Sequence, residues 1–324
     1  MPLLEVRNLS VEYHTEEGKF RAVEDLSFSL EPRRSLGIVG ESGCGKTTAM
    51  LALMRILPEM GRIVNGQILF DSVDLLQLSV AEIARYRWSR ISMIFQGAMN
   101  ALNPVRTVGS QIAEAIQLHE SVPANEVQQE VLRLLDLVGI TAERTSQYPH
   151  QYSGGMRQRA MIAMALACHP QIVIADEPST ALDVMIQAQI MELLQKLQRE
   201  LGLSILVVTH DLGLVAELCD DVLVMYGGRM AELGSADDIY NGAQHPYTRR
   251  LLEAFPDIEN PGAELASIPG YPPPLNDLPP GCRFQPRCLV AEPVCSLQLP
   301  PTFSLSPVHW VHCVKAGAKE SLAS

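Results

Sequence analysis

A short segment near the N-terminus carries the residue types and spacing of a phosphate-binding loop. Residues 40–47 read Gly-Glu-Ser-Gly-Cys-Gly-Lys-Thr and fit the pattern G-x-x-x-x-G-K-[ST]. Glycines let the backbone curl so that its N–H groups converge on phosphate oxygens. Lys46 is predicted to reach the outer phosphates of a nucleotide, and the Thr47 hydroxyl to ligate Mg²⁺. The candidate nucleotide-binding residues here are Gly40, Ser42, Gly43, Cys44, Gly45, Lys46, Thr47 and Thr48.

Two consecutive carboxylates follow a short apolar segment later in the chain. Residues 172–175 read Ile-Val-Ile-Ala, and Asp176 and Glu177 come directly after them. A buried strand that ends there places both acids at the carboxyl edge of a sheet, where α/β proteins bind ligands. Asp176 suits Mg²⁺ coordination, and Glu177 suits a general base that polarises an attacking water. An ordinary strand end with two solvated acids is the alternative, and the phosphate-binding loop in the same chain disfavours it.

A serine and two glycines at a predicted helix start form a third candidate anion site. Ser153 can cap the helix, while Gly154 and Gly155 leave its N-terminus open to an anion. A capped helix by itself does not indicate a function, since such caps are common. Its place in the order of motifs along the chain is what points to an anion site. His210 could donate a hydrogen bond to a terminal phosphate; a buried structural histidine is the alternative. The full order is phosphate-binding loop, Gln96, Ser153, Asp176, Glu177, Asp183 and His210.

Four of the seven cysteines crowd into the last part of the chain, at Cys282-x₅-Cys288-x₆-Cys295-x₁₇-Cys313. This spacing lacks the paired C-x-x-C elements of common zinc fingers. A chain that stays in the cytosol keeps its thiols reduced, which favours a metal over disulfides. Four thiolates can hold Zn²⁺ or an iron–sulfur cluster, and unligated thiols are the remaining alternative.

The elements that must position these residues alternate between strands and helices. Apolar alternation predicts strands at 4–11 and 22–30, and helical spacing predicts helices between 107 and 140. Short apolar strands at 36–39, 91–95, 172–175 and 204–208 alternate with helix candidates at 47–54, 155–168 and 184–201. This alternation predicts a parallel sheet with helices on its faces. After about residue 255 the composition changes, since 13 of the 22 prolines lie between Pro256 and Pro307. Such a segment is not expected to be mostly helix or central strand, and it is either a loose tail or a small lobe held by something other than a core.

Composition limits the classes of function. The 324 residues are 47% hydrophobic and 19% charged, as in a globular protein. No apolar run approaches the ~20 residues that span a bilayer, and the N-terminus lacks the features of an export signal, so export is not expected. The net charge of −12 disfavours broad contact with nucleic acid or anionic lipid. A role at a membrane would therefore require another protein to hold the chain there.

The order of the motifs over residues 3–255 resembles the nucleotide-binding subunits of ATP-binding cassette (ABC) transporters. Residues 40–47 match the Walker A loop, 153–155 the signature and 172–176 Walker B. The usual glutamine after Ser-Gly-Gly is Met156 here, which changes one side-chain contact near the nucleotide and leaves the backbone contacts. The remaining matches are Glu177 at the catalytic glutamate, Gln96 at the Q-loop, Ala181-Leu182-Asp183 at the D-loop, His210 at the switch histidine and Tyr13 at the aromatic residue that stacks on adenine.

The resemblance implies an α/β P-loop NTPase fold with a parallel-sheet core. Residues 1–255 would form the nucleotide-binding domain, with a helical signature subdomain at about 97–155, and 256–324 a small irregular C-terminal lobe. ATP and Mg²⁺ are the implied cofactors. Two subunits would pair head to tail, so that residues 153–155 of one close on the ATP of the other. Implied catalytic residues are Glu177, His210 and Gln96, and implied Mg²⁺ ligands are Thr47, Gln96 and Asp176.

Four further segments resemble the oligopeptide and dipeptide importer type, which also includes importers of nickel, glutathione or oligosaccharides. They are residues 96–104, 148–151, 245–248 and 281–288. The implied protein is a peripheral ATPase at the cytoplasmic face of the inner membrane that drives peptide uptake. Its implied partners are a related but different second ATPase chain, two transmembrane permease subunits contacted by residues after Gln96, and an extracytoplasmic substrate-binding protein.

For the four C-terminal cysteines, the resemblance favours a [4Fe–4S] cluster with zinc as the alternative. Two other functions stay open. A soluble ABC ATPase acting on nucleic acid or ribosomes usually has two cassettes or a coiled-coil insertion and basic surfaces, whereas this chain has one cassette and a net charge of −12. A redox or metal sensor would use the cysteine tail as its working site.

Overall fold

The chain divides into two units in a computed structural model that describes residues 1–16, 18–97, 101–120, 122–178, 182–254 and 268–317, apart from the side chains of 216, 217 and 317. The first unit comprises Met1–Leu30, Ser35–Leu76 and Thr209–Ser324, and the second Glu31–Arg34 and Gln77–Val208. The predicted domain boundary at residues 255 and 256 lies outside the described residues and stays a prediction.

Strands and helices alternate through most of the described residues. The strands are β1 Leu4–Thr15, β2 Gly18–Leu30, β3 Ser35–Val39, β4 Gly61–Phe70, β5 Val73–Asp74, β6 Ile91–Ile94, β7 Ile172–Asp176, β8 Ser204–Thr209, β9 Asp221–Tyr226, β10 Arg229–Ser235, β11 Phe303–Ser306 and β12 His309–Val311. The helices are α1 Lys46–Leu53, α2 Val80–Tyr86, α3 Val108–His119, α4 Ala124–Leu137, α5 Gly154–Ala165, α6 Val184–Leu201, α7 Leu212–Leu218, α8 Ala236–Gly242, α9 Pro246–Glu253 and α10 Val314–Gly317.

An antiparallel sheet in the order β2-β1-β4-β5 begins the first unit. Leu4 pairs with Leu30 on one side and with Phe70 on the other, and all three side chains are buried. The apolar alternation that predicted strands at 4–11 and 22–30 therefore marks the buried face. Both strands extend beyond the predicted limits, because antiparallel pairing continues through mostly polar residues.

The other strands of the first unit follow in the order β3-β9-β10-β12-β11. β3 and β9 are parallel, while the pairs β9–β10, β10–β12 and β11–β12 are antiparallel. Every residue of β3 is buried, and α1 begins seven positions after its last residue. The proline-rich end of the chain contributes two short strands, β11 at the sheet edge and β12 between β11 and β10. Regular elements make up a small part of this segment, in agreement with the expectation that it is not mostly helix or central strand.

The second unit contains a parallel group of strands in the order β8-β7-β6. Ile91 of β6 pairs with Ile172 of β7, and Ile172 pairs with Ser204 of β8. All three strands are buried along their length, as continuous apolar runs in a covered parallel sheet require. Helices α3, α4 and α5 pack on one another, and together with α6 they provide the helices that the sequence predicted.

A buried carboxylate joins three parts of the first unit. Glu232 of β10 has no exposed surface. Its oxygens accept the backbone N–H groups of Gln244 at 2.7 Å and His245 at 3.0 Å, and Nε2 of His309 lies 2.8 Å away. Burial works to raise the pKa of Glu232, but the hydrogen bonds from His309 and the two backbone groups outweigh it and hold the pKa below its usual value. The charged carboxylate therefore ties β10 to β12 and to the start of α9.

We expect Glu232→Ala to lower the free energy of unfolding by about 3 kcal/mol, because it leaves buried donors without an acceptor. Urea denaturation of the full-length chain measures this. The control is Glu114→Ala, since Glu114 is half exposed and pairs with Arg106 at the surface; it should cost less than about 1 kcal/mol. Equal losses from both variants would contradict the role given to Glu232.

Candidate nucleotide-binding site

The phosphate-binding loop lies between β3 and α1, in the strand–loop–helix order that the sequence predicted. Three of its glycines have positive φ, at 153° for Gly40, 81° for Gly43 and 101° for Gly45. A Cβ on Gly40 would lie 2.2 Å from the Met225 carbonyl oxygen, and one on Gly45 2.3 Å from that of Ala22. No side chain fits at either place. The sequence pattern is therefore required by backbone conformation and by close approach together.

Lys46 is buried, and its ammonium group faces the backbone of its own loop. Nζ donates to the carbonyl oxygens of Gly40 at 2.6 Å and Glu41 at 3.2 Å. The loop thus holds a cation among its peptide groups, which is the arrangement needed to meet a phosphate. Next to it, the Tyr13 hydroxyl lies 3.4 Å from the hydroxyl of Thr48 at the helix start.

In the second unit, Gln96 and Glu177 are hydrogen-bonded although 81 positions separate them in the chain. Nε2 of Gln96 donates to Oε2 of Glu177 over 2.7 Å. Glu177 has φ of 44°, an uncommon backbone conformation for a residue other than glycine, and its N–H donates to the Val208 carbonyl at 2.8 Å. The preceding residue, Asp176, ends β7 and is buried. The two carboxylates at the end of β7 are therefore in different environments. Asp176 is buried, and Glu177 accepts a hydrogen bond from the Gln96 side-chain amide.

The Ser153 side chain caps α5, as the sequence predicted. Its hydroxyl accepts the Met156 N–H at 3.3 Å. A Cβ on Gly155 would lie 2.9 Å from a methyl carbon of Ile186, so the glycine also permits close packing against α6. Asp183 caps α6, accepting the N–H of Ile186 at 3.0 Å. A cap is a structural reason for Asp183 that the sequence reasoning missed, although an aspartate directly before a long helix is its usual signal. Ala181 of the predicted D-loop lies outside the described residues.

The predicted site residues fall into both units, each of which is described by itself. Tyr13, residues 40–48 and His210 belong to the first unit. His210 is exposed after β8, which disagrees with a buried structural histidine. Gln96, residues 153–155, Asp176, Glu177 and Asp183 belong to the second unit. Of the predicted Mg²⁺ ligands, Thr47 is in the first unit, and Gln96 and Asp176 are in the second.

The four C-terminal cysteines lie around one cavity of the first unit. Cys282, Cys288, Cys295 and Cys313 all line it, and all four are free thiols. Burial raises the pKa of Cys282 to about 11, and the other three sulfurs add to this shift. Within the described ranges, no group of three or more His, Cys, Asp or Glu side chains is arranged to hold a metal ion. The structure therefore brings the four cysteines to one cavity without showing a formed metal site among the described residues.

Sequence reasoning missed the contacts that hold the phosphate-binding loop from outside. The Glu41 N–H donates to the Tyr247 hydroxyl at 2.9 Å. The Glu41 carboxylate pairs with Arg287, 246 positions away. The x positions of the motif tolerate any residue type, so no local pattern could have revealed either partner.

Comparison with known proteins gives the family. Residues 23–180 match the family model of ABC transporters, and 231–295 match that of the oligopeptide/dipeptide transporter C-terminal region. The dipeptide transport ATP-binding protein DppD of Bacillus subtilis (strain 168) is 48% identical over 314 residues, covering 96% of this chain and 94% of that protein. The chain belongs to the ABC transporter family. The oligopeptide transport ATP-binding protein OppD of Salmonella typhimurium is also 48% identical, over 315 residues, 97% of this chain and 93% of that protein.

Solved ABC cassettes share the fold. The ATP-binding cassette MJ0796, solved as a dimer bound to ADP and Pi, superposes with a TM-score of 0.65 at 26% identity over 72% of this chain and 98% of that chain. CbiO1 from Clostridium perfringens, part of the ABC transporter complex CbiONQ, superposes with a TM-score of 0.65 at 29% identity. The match covers 74% of this chain and 91% of that chain. The predicted ABC ATPase fold and ATPase activity are thereby confirmed. Within the described ranges, no helix of this ABC ATPase combines the length and the hydropathy needed to cross a bilayer.

We expect Glu177→Gln to retain Mg·ATP binding and to lose hydrolysis by about 10²–10⁴-fold, because a positioned general base contributes that much. Lys46→Ala should instead weaken nucleotide binding, since it removes a charge from the phosphates. Nucleotide titration and phosphate release separate the two effects. Glu192→Gln, an exposed carboxylate of α6, is the control. Hydrolysis near the wild-type rate in Glu177→Gln would refute the assignment.

Proposed function

We propose that this ABC ATPase drives an importer of dipeptides or oligopeptides. The observation that carries the proposal is the similarity to peptide transport ATP-binding proteins over nearly the whole chain, together with the match of residues 231–295 to the oligopeptide/dipeptide transporter C-terminal region. Importers of nickel, glutathione or oligosaccharides are the alternative within the same motor type. A soluble ABC ATPase acting on nucleic acid or ribosomes is disfavoured by the net charge of −12.

In the proposed mechanism, the phosphate-binding loop and Lys46 hold the phosphates of ATP, and Tyr13 packs on adenine. By the family resemblance, Thr47, Gln96 and Asp176 would supply ligands of Mg²⁺, which would neutralise charge on the phosphates when bound. Glu177 accepts a proton from the attacking water, and its hydrogen bond to Gln96 keeps the carboxylate oriented for that step. His210 donates a hydrogen bond to the terminal phosphate; its exposed position supports this role.

ATP sites are proposed to form between two subunits that pair head to tail. The capped start of α5 offers backbone N–H groups and the positive end of a helix to an anion. Ser153, Gly154 and Gly155 would meet the ATP bound by the partner, and Asp183 would lie at the same boundary. The importer would contain a related but different second ATPase, two transmembrane permease subunits and an extracytoplasmic substrate-binding protein. The chain would then be held at the cytoplasmic face of the inner membrane by the permeases.

A [4Fe–4S] cluster is proposed at Cys282, Cys288, Cys295 and Cys313, with one Zn²⁺ as the alternative. The position of all four cysteines around one cavity supports this, since four thiolates can hold either group. Such a group would supply a cross-link among residues 282–313, a stretch with few regular elements. This role is structural, so hydrolysis of ATP needs no step at the cysteines.

We expect anaerobically purified protein to be brown and to contain about four irons and four sulfides per chain. Changing any of the four cysteines to Ser should remove the colour and speed hydrogen exchange in residues 268–317, while ATP binding is retained. Cys168→Ala is the control, because Cys168 is buried in the second unit. Colourless protein with one zinc would reject the cluster and keep the site. Metal-free protein with a protected C-terminal segment would reject both.

The importer itself provides the test of function. Co-expression with permease, second-ATPase and binding-protein genes from the same genome should yield a complex with one copy of this chain and one related ATPase. Vesicles that contain the complex should take up labelled peptides in an ATP-dependent manner. The Glu177→Gln complex should assemble and show no uptake. Uptake of nickel, glutathione or an oligosaccharide in place of peptide would contradict the proposed peptide cargo. A complex that contains two copies of this chain and no other ATPase would contradict the proposed pairing with a different ATPase chain.

A further inference from the structure

Arg287, from the cysteine-rich region (residues 282–313), forms an ion pair with Glu41 of the phosphate-binding loop. Nη1 of Arg287 lies 2.6 Å from Oε2 of Glu41, and Nη2 lies 3.0 Å from Oε1. The geometry is bidentate, which makes the pair stronger and more directional than a single contact. The Arg287 side chain is 6% exposed and that of Glu41 is 25% exposed, so the pair is shielded from water on the arginine side.

Three further hydrogen-bond acceptors and one aromatic ring hold the guanidinium of Arg287 in place. Nε donates to the Pro269 carbonyl at 2.8 Å, Nη2 to the Gly270 carbonyl at 3.3 Å, and Nη1 to the Tyr226 hydroxyl at 3.2 Å. Its central carbon lies 5.8 Å from the centre of the Tyr226 ring. A guanidinium stays charged in proteins, and these contacts hold it in place, so Arg287 is a fixed positive charge.

Glu41 is held at every polar group it has. Arg287 binds its carboxylate, and the Tyr247 hydroxyl accepts its N–H at 2.9 Å. Its carbonyl oxygen accepts from the Lys46 ammonium at 3.2 Å. Two of these three partners, Arg287 and Tyr247, lie outside the loop, so they stay in place when Lys46 turns to a phosphate. The conformation of residues 40–42 thus depends on contacts that the motif itself does not contain.

The position of Arg287 is set by the cysteine-rich region. Residues 285–287 form a 3₁₀ turn directly before Cys288, and the Arg287 N–H donates to the Phe284 carbonyl at 3.0 Å. Phe284 packs against Tyr226 and Tyr247 with ring centres 5.2 Å and 5.3 Å apart. Residues 272–276, which precede the cysteine-rich region, also lie near the loop. Together with residues 42–44, Phe20 and Gly227 they line a cavity of about 390 Å³.

Charge explains why the loop needs this arginine. Glu41 places a carboxylate in a loop that must accept the several negative charges of ATP, and like charges a few ångströms apart disfavour binding. Arg287 neutralises that carboxylate and fixes its position by bidentate pairing. We propose that Arg287 is a positioning residue for nucleotide binding, which acts through Glu41 to keep the phosphate-binding loop open to ATP.

This inference rests on ATP binding by the family and is independent of peptide cargo and of cysteine ligation. The test uses the full-length chain with its cysteine site as purified, and measures the Kd of Mg·ATP by fluorescence titration. We expect Arg287→Met to raise Kd by about tenfold, because it exposes the loop to an uncompensated carboxylate. Glu41→Gln should change Kd by less than about threefold, since it removes the charge that needs compensation.

The double variant Arg287→Met/Glu41→Gln should bind ATP within about threefold of the wild type. This recovery separates charge compensation from a merely structural role, in which the double variant would be as weak as Arg287→Met. Arg287→Lys should fall between the wild type and Arg287→Met, because an ammonium neutralises the carboxylate without the fork geometry. Arg250→Met is the matched control, since Arg250 pairs with Glu253 at the surface of the same unit.

Assays of the assembled ATPase add a second readout. Arg287→Met should raise KM for ATP and leave kcat within about threefold of the wild type, because Glu177 and Gln96 are unchanged. An unchanged Kd in Arg287→Met, or equal losses in Arg287→Met and Glu41→Gln without recovery in the double variant, would overturn the proposal. Should Arg287→Met fail to fold, a tenfold weaker Kd in Glu41→Gln alone would overturn it as well. Iron content measured in the same samples shows separately whether the cysteine site has been lost.

Discussion

The first unit is organised by the close approach of backbone groups at the phosphate-binding loop. The carbonyl oxygens of Ala22 and Met225 lie where Cβ atoms of Gly45 and Gly40 would be. The Gly228 N–H donates to the Cys44 carbonyl at 2.9 Å, so the turn between β9 and β10 also holds the loop. Strands β2, β3 and β9 therefore fix the path of residues 40–45 before any ligand is bound. Such preorganisation reduces the conformational entropy that binding must overcome.

Charged contacts attach the proline-rich end of the chain to the rest of the first unit, beside the packing of Phe284 on Tyr226 and Tyr247. Arg287 binds Glu41, Arg283 binds Glu24 and the Gly227 carbonyl, and His309 binds Glu232. Arg283 is buried, and that burial lowers its pKa to about 10 against the opposing effect of Glu24. A buried charge that loses its partner is costly, so each pair makes detachment of this region unfavourable. The Arg287–Glu41 pair both stabilises the attachment of this region and keeps it next to the phosphate-binding loop.

In the second unit, the non-glycine residues described with positive φ are Arg33, Trp88, His169 and Glu177. Glu177 adopts a positive φ at the end of β7, held there by its N–H bond to Val208 and by the amide of Gln96. Strained residues of this kind persist where the surrounding structure determines them, and they are concentrated at functional sites.

The sequence by itself determined the family, the α/β architecture and the identity of the motifs, because glycine spacing, apolar runs and helix caps are local properties. Val184–Leu201 has the bounds that were predicted, and Ser153 caps α5 as expected. Tertiary structure decided which distant residues meet. The Gln96–Glu177 bond, the convergence of four cysteines on one cavity and the Arg287–Glu41 pair join positions far apart in the chain. Local patterns carry no information about such pairs, because the partner of a charged side chain is chosen by the path of the whole chain.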